Sequence, residues 1–234
     1  MDVLVKKRAK NEDDIQSYFT RKIKEASRAI PETFYDRFKC RLVEISNAYS
    51  DRNLVLFQLS IATGYRIQDL HDLSIFDLYT FIKEGKIVIQ EKKQLNAWKT
   101  ALKKKPNSKR KKPKPREHEI VPELSAILKK YISGKKKSEY AFASQKTDAQ
   151  GKQMPISREA YSDIIARVGK ELGLKQMSGH SLRKTYATRL WEETHNLEYV
   201  RIALGHASIE VTRRYLGLDE EIKIEAAKIA SKKL

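Results

Sequence analysis

The chain has 234 residues, a length suited to one large domain or two small ones, and its 40% apolar content supplies a core. Its net charge is +18, from 48 Lys+Arg against 30 Asp+Glu, which favours a polyanionic partner because pairing with phosphates releases condensed counterions. A single cysteine, Cys40, excludes a disulfide framework and a cysteine-rich zinc site; no apolar run reaches the roughly 18 residues of a membrane span, so a cytoplasmic protein without membrane contact is expected.

In chain order, residues 11 to 29 read as a helix with Ile15, Phe19 and Ile23 on one face. A second helix opens at Pro31, a good first-turn residue, with the stripe Phe34, Phe38, Leu42 and Ile45. NLVLFQLSIAT (53 to 63) is apolar nearly all round and predicts a buried helix ended by Gly64, followed by a helix from Arg66 to about Leu73. GKIVIQ (85 to 90) alternates like a strand, and HEIV (118 to 121) is its candidate partner. Between them, residues 103 to 116 hold nine Lys/Arg, three Pro and no acid, the composition of a flexible, solvated loop. Nine of the eighteen net charges lie there, so the rest of the chain is still basic.

Further on, ELSAILKKYI reads as a helix and AFAS as a buried segment. Ser157 caps a long amphipathic helix carrying Tyr161, Ile164, Ile165, Val168 and Leu172. Helices at roughly 180–193 and 197–204 follow. The tail DEEIKIEAAKIASKK is helix-forming, with acids first and lysines last as the helix dipole prefers. The fold class is therefore mainly α with a small antiparallel β-sheet. His71, His118 and His195 read as surface or capping residues, Tyr65 and Tyr186 as packing residues, and Trp98 and Trp191 as core or loop anchors.

Three clusters carry candidate chemistry: ATGYRIQDL (62 to 70), GHSLRKTYATRL (179 to 190) and LGHASIEVTRRY (204 to 215). Arg66 and Arg183 each follow a turn signal. A guanidinium binds two phosphate oxygens at once and never deprotonates, so a pair suits the extra charge of a pentacoordinate phosphorus. Tyr215 is a candidate nucleophile. A free tyrosine has a pKa near 10, so only about 0.1% is phenolate at pH 7 and activation is needed. Nearby arginines lower that pKa, and His206 or His180 takes the proton. Attack by tyrosine conserves the ester in a covalent phosphotyrosine, so rejoining needs neither metal nor cofactor.

These clusters, TGYRIQD, HSLRKTYAT and LGHASIEVTRRY, resemble the signature boxes of the tyrosine recombinase (phage integrase) family, over about residues 30 to 220. The resemblance implies a tyrosine-recombinase-like catalytic domain with Arg66 and Arg183 clamping phosphate, His180 and His206 as acid–base histidines, and Tyr215 as nucleophile. Asp69 matches the acidic position that organises the site. The family's hairpin-loop lysine, which protonates the leaving 5′-oxygen, corresponds to Lys93 or, alternatively, Lys92. Lys184 departs from the histidine usual at its position.

The division expected is an N-terminal helical extension (1–29), the catalytic domain (30–219) and a C-terminal helix (220–234) that docks on a neighbouring protomer. Only about 30 residues precede the resemblance, so a nearly bare catalytic domain is expected, either a short member or part of a longer protein. The expected partners are double-stranded DNA and further copies of the chain, two to four on one DNA. The basic loop (Lys103, Lys104, Lys105, Lys109, Arg110, Lys111, Lys112, Lys114 and Arg116) is expected to touch the DNA backbone. The function implied is site-specific strand cutting and rejoining. The alternatives are a type IB topoisomerase-like relaxing activity and a DNA-binding accessory factor without catalysis.

Overall fold

A computed structural model describes residues 26–232. The helix expected over residues 11 to 29 lies outside them except for residues 26–29, which are not helical. The first helical residues after Pro31 form a 3-10 turn (Glu32–Phe34), which runs into α1 (Tyr35–Ser46). Phe38 and Leu42 of α1 are buried, and the Phe38 ring stacks on Phe57 with centroids 5.6 Å apart. Phe57 belongs to α2 (Ser50–Thr63), which buries residues on all sides, as its unbroken apolar run requires. Burying each such aromatic or aliphatic side chain stabilises by roughly 1.5–3 kcal/mol, which makes α2 the axis of the main core.

Gly64 ends α2 in the left-handed conformation, φ +63°, and its N–H closes on Ser60 O at 2.9 Å. The next helix is shorter than expected: α3 covers only Ile67–Leu70, and Arg66 stands before it in extended backbone. Between Leu73 and Gly85, a stretch with no element expected from its sequence, the structure has α4 (Ile75–Glu84). Its start is a capping box in which Ser74 Oγ accepts from Asp77 N–H and the Asp77 carboxylate accepts from Ser74 N–H.

Strand β1 (Lys86–Ile89) pairs antiparallel with β2 (Arg116–Glu119), in a register that sets Ile89 against Arg116. Between them lies a correction. The segment after β1 is not a hairpin loop but helix α5 (Lys92–Lys104), so Lys92, Lys93, Lys103 and Lys104 are helical. Leu95, Trp98 and Leu102 recur at helical spacing and are half-buried; Trp98 Nε1 donates to Arg110 O at 2.9 Å, tying the irregular stretch 105–115 to the helix.

Helix α6 (Pro122–Ile132) follows, then a hairpin the sequence did not suggest, β3 (Ala143–Thr147) with β4 (Gln153–Pro155). Ala141 and Phe142 before it are buried as expected. Helix α7 (Arg158–Glu171) is capped by Ser157, whose Oγ accepts from Ala160 N–H. The C-terminal third is helical: α8 (Gly179–Thr194), α9 (Leu197–Leu204), α10 (Ile209–Leu216) and α11 (Leu218–Ala230). Here a second, smaller core of Ala187, Val200 and Leu204 is flanked by Tyr186, Leu190, Trp191, Tyr215 and Leu216. Among the described residues no helix is long and apolar enough to cross a membrane.

Candidate active site

Three turns bring the site together. Gly64 after α2 delivers Arg66; Ser178 caps α8 by accepting from His180 N–H, which sets the register of His180 and Arg183; Gly205 after α9, φ +65°, turns the chain to His206. A side chain at Gly64 is forbidden twice over. Its φ is left-handed, and an added Cβ would stand 2.3 Å from Tyr186 Cδ1.

Arg183 is 1% exposed, an unusual position for a guanidinium. Its Nη1 donates to Gly64 O at 2.6 Å and to Glu91 Oε1 at 3.0 Å, and its Nη2 donates to Leu204 O at 2.7 Å. One arginine therefore ties together the ends of α2, β1 and α9. Burial, with Arg66 close by, lowers its pKa to about 10, which leaves it cationic at neutral pH. Arg66 Nη1 donates to the same Glu91 Oε1 at 2.8 Å.

Arg116 corrects the sequence reading. Expected at the end of the exposed loop, it lies in β2 with its guanidinium turned inward, 3.7 Å above the Tyr65 ring. Its Nη1 donates to Thr63 O and Ala203 O at 2.9 Å each, and its Nε lies 3.7 Å from Glu91 Oε1. The physical reason is the strand register: pairing opposite Ile89 points this side chain into the domain. The remaining loop cations are where they were expected, exposed: Lys105, Lys109, Arg110, Lys111, Lys112 and Lys114 in the irregular stretch, with Lys103 and Lys104 exposed at the end of α5.

The nucleophile candidate faces the arginines. The Tyr215 ring meets His206 edge-on with centroids 5.2 Å apart and His180 at 6.5 Å. Burial pushes the Tyr215 phenol up to about 12, with Arg183 and Arg66 pulling the other way. Both histidines are held down to about 4, first by burial and then by the arginine charges, with Lys93 adding to both. His180 retains exposed surface, and solvent there weakens both influences on it. His206 Nδ1 lies 3.1 Å from Thr212 Oγ1, whose hydroxyl donates to Ser208 O at 3.4 Å.

Lys92 and Lys93 point to different surroundings. The Lys92 N–H donates to Asp69 Oδ1 at 2.8 Å, and its ammonium pairs with Asp72 at 2.6 Å, away from the histidines. The charge of Lys93 reaches both His180 and His206. Asp69 is buried and holds the start of α5 through that backbone contact rather than touching an arginine.

Glu91 was missed by the sequence reading. Locally it is one more polar residue at the end of a strand, and only the fold brings three arginines around it. Within the protein, Arg66 Nε, Arg183 Nε, Arg116 Nε and Nη2, and the Tyr215 hydroxyl are buried with no hydrogen-bond partner. Buried donors are nearly always paired, so these guanidinium corners favour a ligand that brings acceptor oxygens. A cavity of about 510 Å³ opens beside Tyr215, lined by His180, Lys184, Val211 and Arg214 among others. Among the described residues no group of three His, Cys, Asp or Glu is placed to hold a metal.

The sequence matches the phage integrase family over residues 35–221. The chain belongs to that family. Tyrosine recombinases cut and rejoin DNA strands, and site-specific recombination is the function class of this chain. A probable integrase/recombinase of Bacillus subtilis, YoeC, is 29% identical over 178 residues, covering 76% of this chain and 84% of the relative. The tyrosine recombinase XerH of Helicobacter pylori is 25% identical over 199 residues; the chain spans 47% of its length. Among solved structures, the XerA recombinase superposes with a TM-score of 0.56 at 20% identity, covering 90% of this chain and 66% of that one. The transposon Tn1549 integrase in complex with a circular intermediate DNA gives 0.57 at 17% identity, covering 82% and 62%. At those identities the likeness shows the fold, mainly helical with small antiparallel sheets.

Proposed function

We propose that this recombinase domain cleaves duplex DNA at a scissile phosphate held by Arg66, Arg183 and Arg116, with Tyr215 as nucleophile. The carrying observation is the set of unpaired buried guanidinium donors, together with the Arg183 and Arg66 charges that act on Tyr215: a phosphate would supply both the acceptors and the countercharge. The phenol oxygen forms a bond to phosphorus, the bond to the 5′-oxygen breaks, and a 3′-phosphotyrosine remains. A 5′-hydroxyl from the partner duplex reverses the step.

The proton of Tyr215 goes to His206. Thr212 gives its own proton to Ser208 O, so it accepts from Nδ1–H of the imidazole, which leaves Nε2 with the free lone pair. The depressed histidine pKa values keep that imidazole neutral and able to accept. Lys93 donates a proton to the leaving 5′-oxygen, since Lys92 is held by Asp72. A bound phosphate brings the guanidiniums and the phenol into one dry site, where they lower the barrier to proton loss.

DNA affinity rests on the exposed cations of residues 103 to 114, where no acid intervenes. It should fall steeply with salt, by a slope of about 0.9 per phosphate neutralised on a log–log plot. Helix α11 leaves Ile222 and Ile229, seven residues apart on one face, each more than half exposed, an apolar surface for a neighbouring protomer on the DNA. Nicked suicide duplexes incubated with the protein and run on a denaturing gel test the whole reading. A covalent adduct is expected with the natural chain and none with Tyr215→Phe; an adduct in that variant sinks the assignment. Relaxation of a supercoiled plasmid with no site preference would move the reading to a topoisomerase.

A further inference from the structure

The three arginines converge on a carboxylate that none of the sequence boxes contains. Glu91 is 1% exposed and stands between β1 and α5, directly before the lysine pair. One of its oxygens accepts from Arg66 Nη1 at 2.8 Å and from Arg183 Nη1 at 3.0 Å, and lies 3.7 Å from Arg116 Nε. The other accepts from Gln94 Nε2 at 2.6 Å, and the same amide donates to Gly205 O at 3.2 Å, next to His206.

Sharing one oxygen keeps the two Nη1 atoms within about 6 Å of each other, a distance at which two unscreened cations repel. Each guanidinium spends one corner on Glu91, while the Nε of each stays unpaired. The cluster of three arginines and one carboxylate carries a formal charge of +2. A diester is a monoanion and its pentacoordinate transition state a dianion; the remaining +2 still favours the transition state, while the carboxylate offsets the repulsion that would splay the two guanidiniums.

We propose that Glu91 is the positioning residue of the phosphate clamp: without touching substrate, it holds Arg66 and Arg183 at the spacing one phosphate requires and sets the charge of the pair. The proposal rests on the DNA-cleaving reading above. It assigns to the residue before the lysine pair a share in catalysis separable from DNA affinity.

The test compares Glu91→Gln and Glu91→Asp with the natural chain on the suicide duplex, measuring affinity by fluorescence anisotropy and adduct formation in single turnover. Gln keeps the shape and an acceptor but removes the charge. It should leave affinity within about threefold and slow adduct formation by at least about 30-fold. Asp, one methylene short of bridging both arginines, should fall between Gln and the natural residue. His206 gives a second readout: the Glu91 charge supports its proton, so in Glu91→Gln its imidazole should titrate lower by NMR.

Cleavage by Glu91→Gln at the natural rate overturns the proposal, as does a parallel loss of affinity and cleavage. If Glu91→Gln fails to fold, Glu91→Asp decides alone: slower cleavage at unchanged affinity supports the role, and natural-rate cleavage removes it. A natural chain that binds duplex but never forms an adduct would instead sink the Tyr215 assignment, leaving the two failures distinguishable.

Discussion

The two sides of the site are built differently. The arginine side is rooted in the main core: Arg183 is fully buried and fastened to the ends of three elements, and Gly64 is pressed against Tyr186. The side that carries Tyr215, the proposed nucleophile, rides on α10, an eight-residue helix of which only Thr212 is buried, seated on the small second core. A clamp for charge must be preorganised, because reorienting guanidiniums during the reaction would consume the stabilisation they provide. A nucleophile has to reach a phosphorus set by the DNA and to leave room for an incoming strand, so a lighter attachment suits it.

Arg183→Ala should have the largest effect on this contrast. It strips Glu91 of a partner and leaves the Gly64 and Leu204 carbonyls unpaired, so chemical denaturation should show a loss of about 3–5 kcal/mol, with no adduct formed. Gly64→Ala comes next. Left-handed strain and the collision with Tyr186 should cost roughly 2–3 kcal/mol in the same measurement, and adduct formation should drop as the Arg183 anchor moves. A neutral Gly64→Ala would mean the arginine side is softer than its packing implies.

The histidines predict a pH dependence. Folded His180 and His206 titrate at about 4, against 6.5 in the unfolded chain. The unfolded state therefore binds more protons between those values, and stability should be fully present above pH 6.5 and decline as pH falls toward 4. NMR titration of the imidazoles, beside thermal unfolding across that range, checks both halves; a midpoint near 6.5 for either ring would contradict it. The smallest effect on stability belongs to the nucleophile side. Thr212→Val should cost about 1 kcal/mol yet slow adduct formation about tenfold, because His206 loses the contact that fixes its tautomer. A loss as large as that of Arg183→Ala would erase the distinction between the two sides.

Much of this arrangement is legible in the sequence. Gly64 and Gly205 end their helices, Ser157 caps α7, and the alternation in KIVI marks a strand with Ile87 and Ile89 inward. The boxes name Arg66, His180, Arg183, His206 and Tyr215, and the fold brings these five into one cluster. Helix α5 was not legible, since a lysine-rich run with prolines looks solvated, and the half-buried stripe Leu95, Trp98, Leu102 is diluted by eight neighbouring polar residues. Arg116 was misread for the same reason: it follows a run of cations whose composition hides the strand it begins.

By itself the sequence determined the helix punctuation, the family and the candidate site residues, because each is written in short-range patterns of glycine, capping residues and motif spacing. The tertiary structure alone decided that Arg116 turns inward, that Lys92 is paired with Asp72, and that Glu91 sits among three arginines. Those outcomes depend on burial and on the meeting of charges at least twenty residues apart, and a buried charge tolerates only the partners that the packed fold supplies.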